Sequence, residues 1–195
     1  MNTEQFQRAF AAFDAYNAQD PNQETYAGNS HPKELLYAQR MTDRLAAYAP
    51  HVPEYLQLAA RCQHIGRWEI PRKSYPMDRV GYLKWRNELK IHHAGVAENI
   101  LKDCGYDPNT IEIVKFLLLK RELKQNPDMQ LLEDVICLVF IEYYLEDFAA
   151  QHEEEKVIDI IRKTMKKMTP RAIRYTVDEL PMSARVKNLI GQAAG

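Results

Sequence analysis

Apolar residues recur at three- and four-residue spacings along almost the whole chain. That period gathers them on one face of an α-helix. No convincing period-two alternation is present, and no Asn-Gly or Asp-Gly pair marks a hairpin. A first helix is predicted over 3–18, stopped by Asp20-Pro21-Asn22, with 21–31 as a loop. Ser30 is placed to cap a second helix that begins near Pro32 and ends at Ala49-Pro50. A third spans Pro53 to Trp68 and stops at Ile70-Pro71. After a loop over 69–78, a long helical stretch runs from Asp78 to Cys104, bent or broken near Trp85, and halts at Gly105. Asp107-Pro108 opens the next helix, to Lys124. Asn126-Pro127-Asp128 opens the most apolar one, 128–150. Glu153–Lys167, 170–179 and 182–193 complete the pattern.

These elements imply one all-α domain over 1–195, a compact bundle of roughly eight helices. Its bundle lies at 30–150, and the C-terminal helices 151–195 pack on it. A chain of 195 residues buries about 70% of its unfolded surface and needs no staples to fold. Hydrophobic residues at 46%, charged residues at 27% and only 7 glycines exclude collagen-like, low-complexity and wholly disordered classes. The 26 basic and 27 acidic residues leave a net charge of -1, which argues against a general nucleic-acid binder. No run approaches the roughly 18 apolar residues of a membrane span. The polar N-terminal stretch does not read as a signal peptide. A soluble, cytoplasmic chain without a membrane partner is expected. Cys62, Cys104 and Cys137 form no CxxC pair, so reduced core residues are expected.

Polar side chains that interrupt the apolar stripes change the picture. Glu34 lies in line with Tyr37, Ala38, Met41 and Leu45. Gln63, with His64 beside it, falls on the face of Leu56, Ala59 and Ala60. His93 lies with Leu89, Val96, Ala97 and Ile100, and Asp134 with Leu131, Leu138, Ile141 and Leu145. Singly, each has an ordinary reading. The histidines could be hydrogen-bonded in the core. Glu34 suits a helix start, and Asp134 could pair with a basic residue or reach solvent. Together they suggest more. A buried unpaired carboxylate costs several kcal/mol, and two acids with two imidazoles would be stabilised by a divalent cation. Oxygen and imidazole donors suit Mn²⁺, Fe²⁺, Zn²⁺ or Ni²⁺.

Basic residues add a second theme. Lys120 and Lys124 continue the stripe of Ile113, Phe116 and Leu117. Either the helix leaves the core at a pocket mouth where ammonium groups meet phosphate, or long stems merely cover apolar surface. The run from Arg67 through Arg72 to Tyr75, followed by Arg79, Tyr82, Trp85 and Arg86, is dense in Arg and aromatic residues. It reads as a nucleotide lid or as a Pro-rich connection with its rings packed inward. Arg162, Lys163, Lys166, Lys167, Arg171 and Arg174 form a solvated basic face or an RNA-facing one.

The run LAARCQHIGRW resembles the LAALLHDIGK-type segment of HD-superfamily metal phosphohydrolases. HHAGVAENILKDCGY is similar to that family's later His-bearing helix, which points to His93, with His92 as the alternative. LEDVICLVF resembles its terminal Asp helix, which points to Asp134. PKELLYAQRM resembles its first helix, with Glu34 where the first His would stand. The chain also resembles an uncharacterised bacterial and fungal family, a domain of unknown function. That similarity runs through ELLYAQRM, LAARCQHIGRWEIPRKSYPMDRVGYLKWR and LEDVICLVFIEYYLEDF, over most of 30–175. The HD resemblance implies metal-dependent hydrolysis of a nucleotide or other phosphate ester, with Glu34, His64, His93 and Asp134 as metal ligands. Gln63, His64 and Lys120 would be catalytic, and Arg67, Arg72, Arg79, Lys120 and Lys124 would hold a small phosphorylated molecule. Gln63-His64 replaces the family's His-Asp pair, which removes a ligand and a bridging carboxylate. A one-metal enzyme, a phosphate- or nucleotide-binding module without chemistry, and an RNA-associated protein all stay open.

Overall fold

Ten α-helices, two single-turn 3-10 segments and one two-stranded sheet make up the regular structure of residues 4–194, the part that the computed structural model describes. The all-α expectation holds, with more helices than expected. Thr3, in the first expected helix, lies outside the described residues. The chain divides into two compact units, Met1–Arg121 and Glu122–Gly195. None of the described helices is long and apolar enough to cross a membrane.

In the first unit, α1 (Glu4–Asn17) leads to a hairpin of β1 (Gln23–Tyr26) and β2 (Asn29–Pro32). Then follow α2 (Lys33–Tyr48), α3 (Glu54–Arg61), α4 (Arg79–Asp103) and α5 (Pro108–Leu118). Helix α1 packs on α2, α3 and α4, while α5 packs on α3 and α4. Phe13, Met41, Leu45, Leu56, Leu58, Leu101 and Leu117 fill the interior between them. Arg61 at the end of α3 is buried and holds Asp14 of α1 through two bonds, Nε to Oδ1 at 2.7 Å and Nη2 to Oδ2 at 2.6 Å. Asp107 and Asp78 cap α5 and α4 with their carboxylates, as side chains at that position should.

Three departures from the helical reading bear on the site. Helix α3 stops at Arg61, so Gln63 and His64 stand on a turn rather than on a helix face. Helix α5 stops at Leu118, because Lys120, Glu122 and Lys124 all take left-handed backbone angles that no α-helix can continue through. Lys120 and Lys124 therefore do not extend its stripe. Helix α4, in contrast, runs unbroken through Trp85.

The hairpin falls where a loop was expected. Its strands pair antiparallel, with Tyr26 opposite Asn29, around Ala27-Gly28 at φ +49° and +81°. Two positive φ angles define the tight turn that matches strand twist, normally signalled by Asn-Gly. Ala27 hides that signal. The strand side of the hairpin is held by Glu24, which accepts a hydrogen bond from buried Arg40 of α2. Ser30 sits in β2 and donates to Gln23 at 3.2 Å, so it caps nothing. Buried Asp20 does that work instead, accepting the Glu34 backbone N–H at 3.0 Å.

The second unit contains α6 (Pro127–Tyr143), α7 (Leu145–Ala150), α8 (Glu154–Met165), α9 (Pro170–Glu179) and α10 (Ala184–Ala194). The expected helix over 128–150 is interrupted at Tyr144. Leu132, Leu138, Leu145, Val157, Ile161 and Leu189 form the interior as α6 meets α7 and α9, and α8 meets α7 and α10. The cysteines are free thiols, with Cys62 and Cys137 buried.

An alanine at a left-handed position costs about 1 kcal/mol that asparagine largely avoids. Ala27→Asn is therefore expected to raise the urea midpoint by an amount corresponding to about 0.5–1 kcal/mol. An unchanged or lower midpoint would show that the turn is not strained at that residue.

Candidate functional site

Three backbone bonds and one to a side chain fold residues 62–67 into a tight turn. Gln63 N–H donates to Ala60 O at 3.4 Å, Ile65 N–H to Cys62 O at 3.1 Å, Arg67 N–H to His64 O at 3.1 Å and Gly66 N–H to the buried Asn17 side chain at 3.3 Å. Gly66 takes φ +69°. A Cβ there would stand 2.7 Å from His92 Nε2 and 3.1 Å from the Tyr16 ring. Only glycine suits both the backbone angle and the space. The turn is thereby clamped between α1 and α4.

This clamp presents His64 and Arg67 toward the first turn of α2, with buried Gln63 beside His64 in the same turn. Glu34, only 6% exposed, lies there with Oε2 3.5 Å from His64 Nδ1 and Oε1 3.6 Å from Arg67 Nε. These separations exceed a hydrogen bond. The His64 ring stacks flat on Tyr37, with centroids 4.0 Å apart. The guanidinium of Arg67 rests 4.8 Å above Trp85, whose indole N–H donates to Ile70 O at 2.8 Å. His93, from α4, is buried 5.8 Å from His64, ring to ring. Its Nδ1 meets Ile65 O at 2.6 Å. A carbonyl can only accept, so that nitrogen carries the proton and Nε2 keeps its lone pair.

Burial dominates the ionisation of this cluster. It pushes the Glu34 carboxyl up to about 7, although Arg67 pulls the other way. It also drives His64 well below the usual imidazole value, with Arg67, His93, Lys120 and Arg86 acting in the same sense. His93 falls to about 3, mainly through burial, against the support of the Ile65 carbonyl. The result is two neutral imidazoles beside an acid that is about half protonated near neutrality, with positive side chains around them. A charged Glu34–His64 ion pair does not describe such a site, since burial opposes the charge on both partners.

The sequence-predicted residues divide cleanly. Glu34, His64, His93 and Arg67 come together, Gln63 is the sequence neighbour of His64 on the same turn, and Lys120 is near enough to act on both imidazoles. Arg72 braces its own loop by donating to Tyr75 O at 3.1 Å and Asp78 O at 3.2 Å. Arg79 is exposed in the first turn of α4. Lys124 and Asp134 belong to the second unit. Asp134 accepts from Thr169 N at 2.8 Å, Thr169 Oγ1 at 2.5 Å and Gln130 Nε2 at 3.1 Å, tying α6 to the start of α9. Arg86 was visible only as part of an Arg-rich run. Asp20, whose charge also raises Glu34, gave no signal beyond a turn.

The HD resemblance implies a metal, so the donors must be tested against one. The lone pair on His93 Nε2 suits a ligand whose other nitrogen is held by a carbonyl. Yet among the described residues no three His, Cys, Asp or Glu side chains are grouped to hold a metal ion. The residues present do not fit a metal centre of their own.

The profile of a family described as "Domain of unknown function (DUF4202)" matches residues 7–190. The chain belongs to that family. No curated protein and no solved structure matches it. The DUF4202 match reaches into both units and covers every candidate site residue named above, and its description assigns no activity. The HD resemblance rests on the order of motifs in the sequence.

Two outcomes are expected from this geometry. Gly66→Ala should destabilise the protein by about 2 kcal/mol or more in urea, from backbone strain and the clash with His92. A neutral effect would show that the turn is loose. Glu34 favours the folded state most when protonated. Its contribution is complete below an ordinary carboxyl value of 4.5 and is lost as pH rises through about 7. Relative to Glu34→Gln, the wild type should therefore lose about 3 kcal/mol of stability between pH of about 4 and about 8. Parallel stability curves for the two proteins would contradict the burial of this acid.

Proposed function

We propose that the first unit binds a phosphate ester, with a nucleotide as the class suited to its Arg and aromatic walls. We propose further that Glu34 and His64 move protons during its hydrolysis. The observation that supports this reading is positive charge beside a buried acid and two neutral imidazoles: Arg67 acts on all three, Lys120 on both imidazoles and Arg86 on His64. Positive charge beside partly buried groups attracts anions and strengthens each contact made there.

Each residue then has a distinct task. Arg67, already oriented by Trp85, and Lys120 would pair with phosphoryl oxygens and with charge that builds up in the transition state. The arriving phosphate offsets the positive field at His64 and makes its ring more basic. His64 accepts a proton from water as the water oxygen bonds to phosphorus. Protonated Glu34 gives its proton to the departing ester oxygen as the P–O bond breaks. Two neighbouring groups in opposite protonation states at one pH are what acid–base chemistry needs. Gln63, 2% exposed and with Oε1 lacking a hydrogen-bond partner, would accept a hydrogen bond from that water.

A second reading keeps the binding and drops the chemistry. It is favoured by the absence, among the described residues, of a three-ligand metal group. Nucleoside mono-, di- and triphosphates and p-nitrophenyl phosphate, each tried with and without divalent ions, separate the two. Release of inorganic phosphate is expected for at least one of them. Arg67→Ala and Lys120→Ala should each lower kcat/KM by about 100-fold. Glu34→Gln should lower kcat with little change in binding. Tight binding without turnover would leave the module reading, and no binding at all would overturn both.

A further inference from the structure

Large apolar side chains exposed to solvent are concentrated in one short segment. Of seven among the described residues, Met77, Val80, Tyr82, Leu83 and Ile91 lie within 77–91. Met77 is 79% exposed and Val80 75%. Helix α4 turns Trp85, Leu89, His93 and Ala97 inward. At 100° per residue, Val80, Leu83, Asn87 and Ile91 fall on the opposite side. The stripe is about 17 Å long at 1.5 Å per residue. This stretch of helix is thus apolar on two faces, and only one of them is packed. Scattered exposed residues need no explanation, but a cluster on one helix face, interrupted only by Asn87, does.

An open hollow of about 510 Å³ adjoins the stripe, walled in part by Tyr75, Pro76, Val80, Gly81 and Lys84. Three carboxylates also line it and keep their charge: Glu69 accepts from the Tyr16 hydroxyl at 2.7 Å, Glu88 from the Tyr75 hydroxyl, and Asp78 from Gly81 N–H at 2.7 Å. The cations at the margins of the stripe, Lys84 on one side with Arg79 and Lys90 on the other, make no ion pair among the described residues. The stripe is therefore apolar apart from Asn87, carries cations on both edges, and adjoins at its N-terminal end an acid-lined hollow that suits an uncharged side chain.

We propose that this face of α4 docks an acidic amphipathic helix of a protein partner. Apolar residues at i, i+3, i+4 and i+7 would cover Val80, Leu83 and Ile91, with one bulky side chain seated in the hollow. Carboxylates on the flanks would meet Arg79, Lys84 and Lys90. A second copy of this chain fits less well, because pairing α4 with itself brings these cations together. A flat anionic membrane surface would leave the hollow unfilled.

The test uses the full chain and a labelled synthetic helix of about five turns. The probe carries leucines at those spacings and glutamates elsewhere, beside a control of the same composition in scrambled order. Binding read by fluorescence anisotropy is expected for the amphipathic order only. It should weaken at least about tenfold on raising salt from about 0.05 to about 0.3 M. Val80→Asp with Leu83→Asp should abolish it, and Lys84→Glu should weaken it about tenfold or more. Val177→Asp, at an exposed residue in the second unit, should leave it unchanged. Circular dichroism of the Val80/Leu83 variant should match the wild type, since neither side chain is packed. Equal binding of the scrambled peptide, or no binding, would overturn the proposal. So would wild-type dimerisation, or binding to vesicles of about 30% phosphatidylserine, that the same substitutions abolish.

Discussion

The organising constraint is an acid that the fold removes from water without granting it a partner at bonding distance. Glu34 stands at the start of α2, where the helix dipole favours negative charge. Even so, burial raises its carboxyl toward neutrality. The nearest positive group, Arg67, is 3.6 Å away and leans on Trp85. The opposing groups are imidazoles that are themselves held neutral. Structural carboxylates in the same chain behave otherwise. Asp14 is gripped by Arg61 at two points, and Asp134 is satisfied by a threonine and a glutamine. The contrast singles out Glu34. A side chain that merely stabilised the fold would be expected to be bonded like the other two.

The turn over 62–67 makes that arrangement possible. Its bonds to Asn17 and His93 come from helices distant in sequence, and its conformation needs Gly66. Every group of the site either rides on this turn or faces it. Rigidity here has a chemical consequence. Groups held apart at 3.5 Å, rather than bonded, keep their capacity for an incoming ligand.

Much of this was legible in the sequence, for physical reasons. Glu34, Gln63 and His93 interrupt apolar stripes, and a polar group on such a stripe must be explained. Helix starts at Asp107 and Asn126 were visible because short carboxyl and amide side chains cap helices. The errors have equally physical roots. Apolar periodicity continued past Arg61 and Leu118 and carried the helices with it, but periodicity does not register a change of backbone angle. A hairpin turn built on Ala27-Gly28 lacks the residues that advertise one. Asp134 sits on an apolar stripe like Glu34, yet its partners, Thr169 and Gln130, are a neighbouring helix start and a residue one turn away. Pattern alone cannot separate a satisfied buried acid from an unsatisfied one.

Everything therefore rests on the ionisation of one carboxyl group. Carbon-13 NMR of selectively labelled glutamate, with Glu34→Gln to assign the signal, measures it directly. The account predicts a Glu34 midpoint near 7, with the His64 and His93 rings neutral throughout that titration. A midpoint near the ordinary value of 4.5, or a protonated His64 beside an ionised Glu34, would show a solvated ion pair instead and contradict it.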